Sequence, residues 1–220
     1  EKYREDMKVV QIGGTNPLRF ELTVESDYFF SEYFHIWGWA SWSRAFDGFP
    51  SLTIPDSDAH SAVQPGPSVF CEPSVRAFWE KRWKAEKRGV ADNWDSLWSL
   101  HCWSQRGVSI VPRKNLVTNI GFGEDGTHAT KFPLIAGYPP QSSPISFPLR
   151  HPSSVDSNPQ ADKYVTRAIY GIMPWGLRPL FALLELLRRA LSKRARKTET
   201  KPSELTVAQM FWSRWLGLRG

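Results

Sequence analysis

The residues best suited to chemistry lie in three short runs. Asp95 sits between two indoles in Asn93-Trp94-Asp95-Ser96-Leu97-Trp98, and an ionised, positioned carboxylate can accept a proton from a hydroxyl as that hydroxyl attacks. Trp37-Gly38-Trp39 places a glycine between two more indoles. Flat indole faces are platforms for sugar rings and bases as well as good core filler, and glycine permits a backbone conformation or a close approach that other residues do not. Further along, Asn119-Ile120-Gly121-Phe122-Gly123-Glu124-Asp125-Gly126-Thr127-His128 combines three glycines with a threonine, a histidine and two adjacent acids, a composition suited to a mobile flap. A carboxylate flanked by tryptophans and followed by a glycine-rich polar loop reads as a site more than as a scaffold.

The elements that must position these groups follow from local pattern. Lys8-Val9-Val10-Gln11-Ile12 is a β-branched run stopped by Gly13-Gly14, a strand ending in a loop, and open α/β sheets place ligands at such carboxyl ends. Residues 28–39 read as extended, with a short helix from Ala40 onward; a substrate-pocket wall and an aromatic core corner are the two readings of this stretch. Val75, Phe78, Trp79 and Trp83 recur at helical spacing behind Ser74. Asp92 or Asn93 can cap a second helix from Trp94 to Gln105, which places Asp95 in the first turn, where a carboxylate interacts favourably with the helix dipole. Val108 to Val111 is a strand, and 115–120 a second strand or an extended run. Residues 50–73 and 133–159 are rich in Pro and Ser and read as loop or linker.

With 220 residues and 41% hydrophobic content, the chain has material for one large domain or one domain with appendages. Cys71 and Cys102 lack the spacing of a zinc site or disulfide framework, which favours a reducing compartment. Between Lys163 and Lys197 there are nine basic residues and one acid, Glu185, more excess charge than the whole chain's +6. The basicity therefore belongs to an appendage. Leu177, Leu180, Phe181, Leu184, Leu187 and Leu191 line one side of a segment interrupted by Arg178, Glu185, Arg188 and Arg189, too short and too charged to span a bilayer. A basic amphipathic helix of this kind fits an anionic membrane surface or a partner surface within the protein. Nucleic-acid binding explains the leucines less well and is not expected.

Taken together, residues 28–46, Trp94-Asp95-Ser96-Leu97-Trp98 and residues 119–128 resemble the acceptor-side half of bacterial nucleotide-diphospho-sugar transferases of the GT-A fold, relatives of glycosyltransferase family 2, some labelled hemolytic-protein-like. The order of motifs is similar, more distantly, to N-acetylglucosaminyltransferase I, in which a Trp-Asp dipeptide precedes a Gly-x-Ser-His loop. The resemblance covers about residues 8–130, with specific motifs only in the dense stretches. It implies that Asp95 is the general base toward an acceptor hydroxyl, and that Trp37, Gly38, Trp39, Asp92, Trp94 and Trp98 shape the substrate pocket. Gly126, Thr127 and His128 would belong to a loop closing over the nucleotide sugar, with Thr127 replacing the family's usual small hydroxyl residue. It also implies one inverting displacement at the anomeric carbon, with a divalent metal, Mn or Mg, neutralising the diphosphate leaving group. The acidic motif for that metal is expected before Glu1; Glu124-Asp125 lacks a preceding buried strand, and no residue here is assigned to the metal.

The expected fold is α/β: a partial GT-A mixed sheet flanked by helices, without the nucleotide-binding half, followed by an amphipathic helical tail. The expected divisions are an acceptor-side part over 1–132, a Pro/Ser-rich linker over 133–162 and a basic tail over 163–220. The expected partners are a nucleotide sugar donor, a glycan or other hydroxyl acceptor, and an anionic membrane surface engaged through 163–197. The setting implied is cytoplasmic, peripheral at the inner face of the membrane, and the chain, starting at Glu1 without an initiator Met, reads as a fragment inactive alone. The competing expectation is a glycan-binding or membrane-recruitment module without chemistry.

Overall fold

The β-branched run at the start of the chain forms the strand around which the other elements assemble. In the computed structural model, which describes residues 1–20, 22–49, 67–88, 94–118 and 141–177, four strands form one mixed sheet in the order β2-β4-β1-β3. They are β1 (Val9–Gly13), β2 (Tyr28–Ser31), β3 (Trp39–Ser41) and β4 (Val108–Pro112). β1 and β4 are parallel, while β2 pairs with β4 and β3 with β1 in antiparallel fashion. The α/β arrangement expected from the sequence is present at this coarse level, with helices α1 (Pro73–Lys87), α2 (Trp94–Ser104) and α3 (Pro159–Tyr164) around the sheet.

Two hydrophobic layers hold the sheet. Val10 belongs to the larger one with Trp79, Trp83, Trp98 and Trp103 of α1 and α2, while Val9 joins Tyr28, Phe30, Val108 and Ile110 in the smaller one. The pairing of β1 with β4 slips between Val9 and Gln11. This bulge adds a residue to β1 and lets Val10 and Gln11 both meet the helix layer, where strict alternation would send one of them to the other face. Trp103 meets Trp79 and Trp83 edge to face at 4.8 and 6.0 Å between centroids and Phe70 at 4.9 Å, while Trp98 packs separately on Trp39 and Phe46. Truncating any one of these buried indoles removes roughly 3–5 kcal/mol. Much of the unusual aromatic content is therefore core.

Local differences from the sequence reading have identifiable causes. α1 begins at Pro73 with Glu72 as its cap residue, ahead of Ser74, because proline's fixed φ suits the first helical position. Ala40 and Ser41 complete β3, and the short helix starts after them as a 3₁₀ turn at Ser43–Phe46. Residues 115–118 are not a strand: Asn115 Nδ2 donates to Val117 O at 2.5 Å while Leu116 N donates to Gly14 O at 2.9 Å. The side chain thus bends the backbone out of the sheet.

The larger difference concerns residues 141–172, which the sequence divides between a linker and a basic tail. They belong to the first of two compact units, Glu1–Ile172; the second is Met173–Gly220, of which only the part through Leu177 is described. The proline-rich stretch runs beside the outer edge of β2, with Asp27 N donating to Arg150 O, the Tyr28 hydroxyl meeting His151 Nδ1 at 2.7 Å, and Asn158 N donating to Phe30 O at 2.8 Å. It covers a strand edge that would otherwise offer free backbone groups. Asn158 then caps α3 through its side chain, with Pro159 at the first turn, and a π-helical turn, Val165–Ile169, follows. Arg167, itself buried, pairs here with the part-buried Glu72, its guanidinium also donating to Ile172 O, so this base is neutralised within the fold. Residues 178–220, with most of the expected amphipathic helix, lie outside the described residues. No helix among the described residues is long and apolar enough to cross a membrane.

α3 is fastened to β2 by a buried carboxylate. Asp162 accepts from Ser31 Oγ at 2.5 Å and from Glu32 N at 3.1 Å. Burial, foremost, pushes its carboxyl up to about 7; the bonds from Ser31 and Glu32 oppose this, and the Glu32 charge adds to it. The fold thus favours the protonated form relative to the unfolded chain, where the group titrates near its ordinary 3.8. The stabilisation is fully present below about pH 4 and is lost as pH rises toward 7. Thermal unfolding followed from pH 5 to pH 8 should show a falling midpoint, and Asp162→Asn, which cannot ionise, should flatten that slope.

Candidate functional site

The carboxyl end of β1 is the point where the two aromatic stretches meet. In the antiparallel ladder Trp39 lies opposite Gly13, so β3 delivers its indole beside the glycine loop. Trp94 and Trp98 stand four residues apart on one face of α2 and receive the Trp39 ring at 6.0 and 5.3 Å. Phe46 stacks on Trp98 at 4.7 Å. Trp94 and Phe46 remain 47% and 39% exposed, whereas Trp98 is fully buried. An aromatic platform results, with Trp39 half-buried at its centre and Trp98 supporting it from beneath.

Asp95, one residue beyond Trp94, is turned by about 100° around the helix toward α1. Arg82 Nη2 lies 3.6 Å from its Oδ1, and Arg82 Nε also donates to the neighbouring Ser96 Oγ. The Arg82 guanidinium lies 5.8 Å from the Trp79 ring centroid, and the enclosed Tyr170 phenol feels the charges of both Asp95 and Arg82. The carboxylate is therefore paired on the α1 side and partly open to solvent, with 38% of its side chain accessible.

The glycine loop is set by close backbone approach. Gly38 has φ of +57°, the left-handed region that glycine enters without strain, and a Cβ there would collide with Val117 Cγ1. A Cβ on Gly14 would lie 2.6 Å from Gly38 O. Thr15 Oγ1 donates to Trp37 O at 2.8 Å, and Asn16 N donates to Asn115 Oδ1 at 3.0 Å. Trp37-Gly38 and 115–117 are thus laced to the end of β1. Gly126, Thr127 and His128, like Asp92, lie outside the described residues. Of the residues expected at the site, Trp39, Trp94 and Trp98 are brought into contact, Asp95 adjoins them, and Trp37 and Gly38 shape the backbone alongside.

Two positioning residues escape the sequence reading. Gln11, fully buried, accepts from Trp98 Nε1 at 2.7 Å and donates through Nε2 to His35 O at 2.9 Å and Ser109 Oγ at 3.4 Å. A polar residue inside a β-branched run next to two glycines is the signal that marks it. Arg82 belongs to a helix with many cations, and nothing in its spacing distinguishes it from Lys81 or Lys84. His35, whose backbone meets Gln11, keeps its ring neutral: burial lowers its pKa to about 4, and Nε2 has no partner among the described residues. Among the described residues no group of histidines, cysteines and carboxylates is placed to hold a metal ion.

Comparison with protein-family models, with curated proteins and with solved structures yields no match.

Gln11→Leu should leave the buried Trp98 N–H unpaired and lower unfolding free energy by about 1–3 kcal/mol, and adding Trp98→Phe should cost less than the two single losses combined, measured by urea unfolding. Gly38→Ala, which forces both a strained φ and a collision with Val117, should destabilise by roughly 1–3 kcal/mol in the same assay, whereas Gly48→Ala, with φ of +81° but open space around it, should cost only the backbone strain.

Proposed function

We propose that the chain is the acceptor side of a glycosyltransferase that takes a sugar from a nucleotide-diphospho-sugar, with Asp95 as the general base. The observation that carries this reading is the convergence of Trp39 with Trp94 and Trp98 at the carboxyl end of β1, with the partly exposed Asp95 carboxylate one residue along α2 on the side of Arg82. Two of the three stretches that bear the family resemblance, far apart in sequence, meet there through Trp39, Trp94 and Trp98, and the third, 119–128, lies outside the described residues. The GT-A assignment belongs to the proposal; the mixed sheet with flanking helices is compatible with it.

On this reading the acceptor sugar lies against the exposed indole of Trp94 and the Trp39 face, which orient its ring. Its hydroxyl oxygen attacks the anomeric carbon of the donor as Asp95 takes the hydroxyl proton. The bond from the anomeric carbon to the diphosphate oxygen breaks, and the nucleoside diphosphate leaves with that electron pair. Arg82 holds the Asp95 carboxylate in place and stays bound to it through the step. The divalent cation implied by the resemblance would neutralise the departing diphosphate; no described residue is assigned to it.

A non-catalytic glycan-binding module is the second reading, supported by the exposed Trp94 and Phe46 on either side of Trp39. Asp95→Asn separates the two. In the protein as it occurs in the cell, sugar transfer should fall by a factor of about 10²–10⁴, the usual contribution of a general base, while acceptor binding measured by calorimetry persists. Undiminished transfer would remove Asp95 from the chemistry, and glycan binding without transfer by the unaltered protein would favour the module.

A further inference from the structure

The sheet edge that carries Trp39 bears a second concavity. β4 runs parallel to β1 and ends at Pro112, and β2 begins opposite it at Tyr28. The residues that follow β4, Arg113 and Lys114, therefore emerge on the same edge as Gly13. Facing them is the extended strap beside β2, which contributes Ile145, Ser146 and Arg150. With Asp27 these residues enclose a cleft of about 270 Å³.

Three cations meet one carboxylate in this cleft, and the carboxylate is already engaged. Asp27 Oδ1 takes Arg150 Nη2 at 3.1 Å and its Oδ2 takes Arg150 N at 2.8 Å, and its pKa is lowered chiefly by these bonds. Arg113 Nη1 donates to Val24 O at 3.3 Å, which uses one of the five N–H groups of its guanidinium. Lys114 is exposed, with no hydrogen bond or ion pair among the described residues. Unspent positive charge thus surrounds a concave space, with the Ser146 hydroxyl as a further donor and the Ile145 side chain and flanking prolines as an apolar wall.

We propose that this cleft binds the phosphate group of a phosphorylated ligand. A guanidinium fork and an ammonium point charge make strong charge-assisted bonds to phosphate oxygens, and a partly apolar wall strengthens such bonds by lowering the local dielectric. Phosphate binding here does not depend on the glycosyl-transfer reading. Where that reading holds, the cleft specifies the acceptor: β4 is separated from β3 only by β1, about 10 Å in all, so a ligand anchored by its phosphate at Lys114 spans the edge to place a sugar on Trp39.

The test uses inorganic phosphate, titrated against the whole chain at fixed ionic strength and followed by calorimetry and by side-chain nitrogen NMR signals. Saturable binding that perturbs Arg113, Lys114 and Arg150 is expected, and Lys114→Ala should weaken it about tenfold, the loss of one charge-assisted contact. Lys81→Ala, an exposed lysine on α1, should leave it unchanged. Because Lys114 bonds to nothing among the described residues, an unchanged thermal midpoint shows that the loss is not unfolding. Glucose 1-phosphate and vesicles containing phosphatidic acid, run as separate arms, tell a soluble phosphate ester from a lipid headgroup. A response that fails to saturate, or that falls equally in both variants, overturns the site. Phosphate binding by the chain, with no sugar transfer by the protein as it occurs in the cell, would leave the cleft standing and remove the glycosyltransferase reading.

Discussion

The amide of Gln11 is the interaction on which the site's geometry depends. One fully buried side chain joins β1 to β4 through Ser109, to the loop before β3 through His35 O, and to α2 through the Trp98 indole. In an apolar interior each of these bonds is stronger than in water, and each unpaired group would be correspondingly costly. The amide therefore does more than fill space: it fixes how far along and around its axis α2 sits against the sheet. Trp94 and Asp95 stand at the first turn of that helix, so their places follow from a contact one turn further in.

The bulge in β1 makes this contact possible. A regular strand would alternate Val9, Val10 and Gln11 across the sheet and turn the Gln11 amide away from the core that receives Val10. The slipped register presents both to the helix layer, and the strand then ends at Gly13, followed by Gly14, where the close approach of Gly38 O leaves no room for a side chain. Irregularity at the end of a central strand is thus coupled to the arrangement of the aromatic platform. On the far side, Asp162 and the strap along β2 secure the outer strand, and the strap also reaches the lacing at the end of β1 through Ser143 N donating to Asn115 O.

How much of this was legible in the sequence differs by residue. The strand at residues 8–12, the helix from Trp94 and the strand from Val108 follow from runs of β-branched residues and helical spacing, signals that local chemistry sets and packing seldom reverses. Asp95 and the indoles were legible as a group because their types are unusual together. Which indoles would be core was not: Trp98 and Trp94 occupy the same helix face, and only the position of Gln11 on another strand decides that one is sealed and the other open. Residues 141–172 were misread as linker and tail because proline and basic residues are normally signs of exposed chain. Their hydrogen bonds to Asp27, Phe30, Ser31 and Glu72 are long-range, and no window on the sequence contains both partners.

The same reasoning bears on why an aromatic platform and a cationic cleft occupy one edge. Parallel β1 and β4 both end there, and their antiparallel neighbours begin there, so four chain segments leave the sheet within about 15 Å. Loops emerging together from a rigid sheet are free to carry polar and charged side chains that the strands could not bury. Gly13-Gly14 and Asn115 fix the middle of that edge by backbone contact, and the segments on either side can then differ in chemistry, indoles toward β3 and cations toward β2, without disturbing one another. A surface divided in this way favours ligands with two unlike ends, one flat and uncharged, the other anionic.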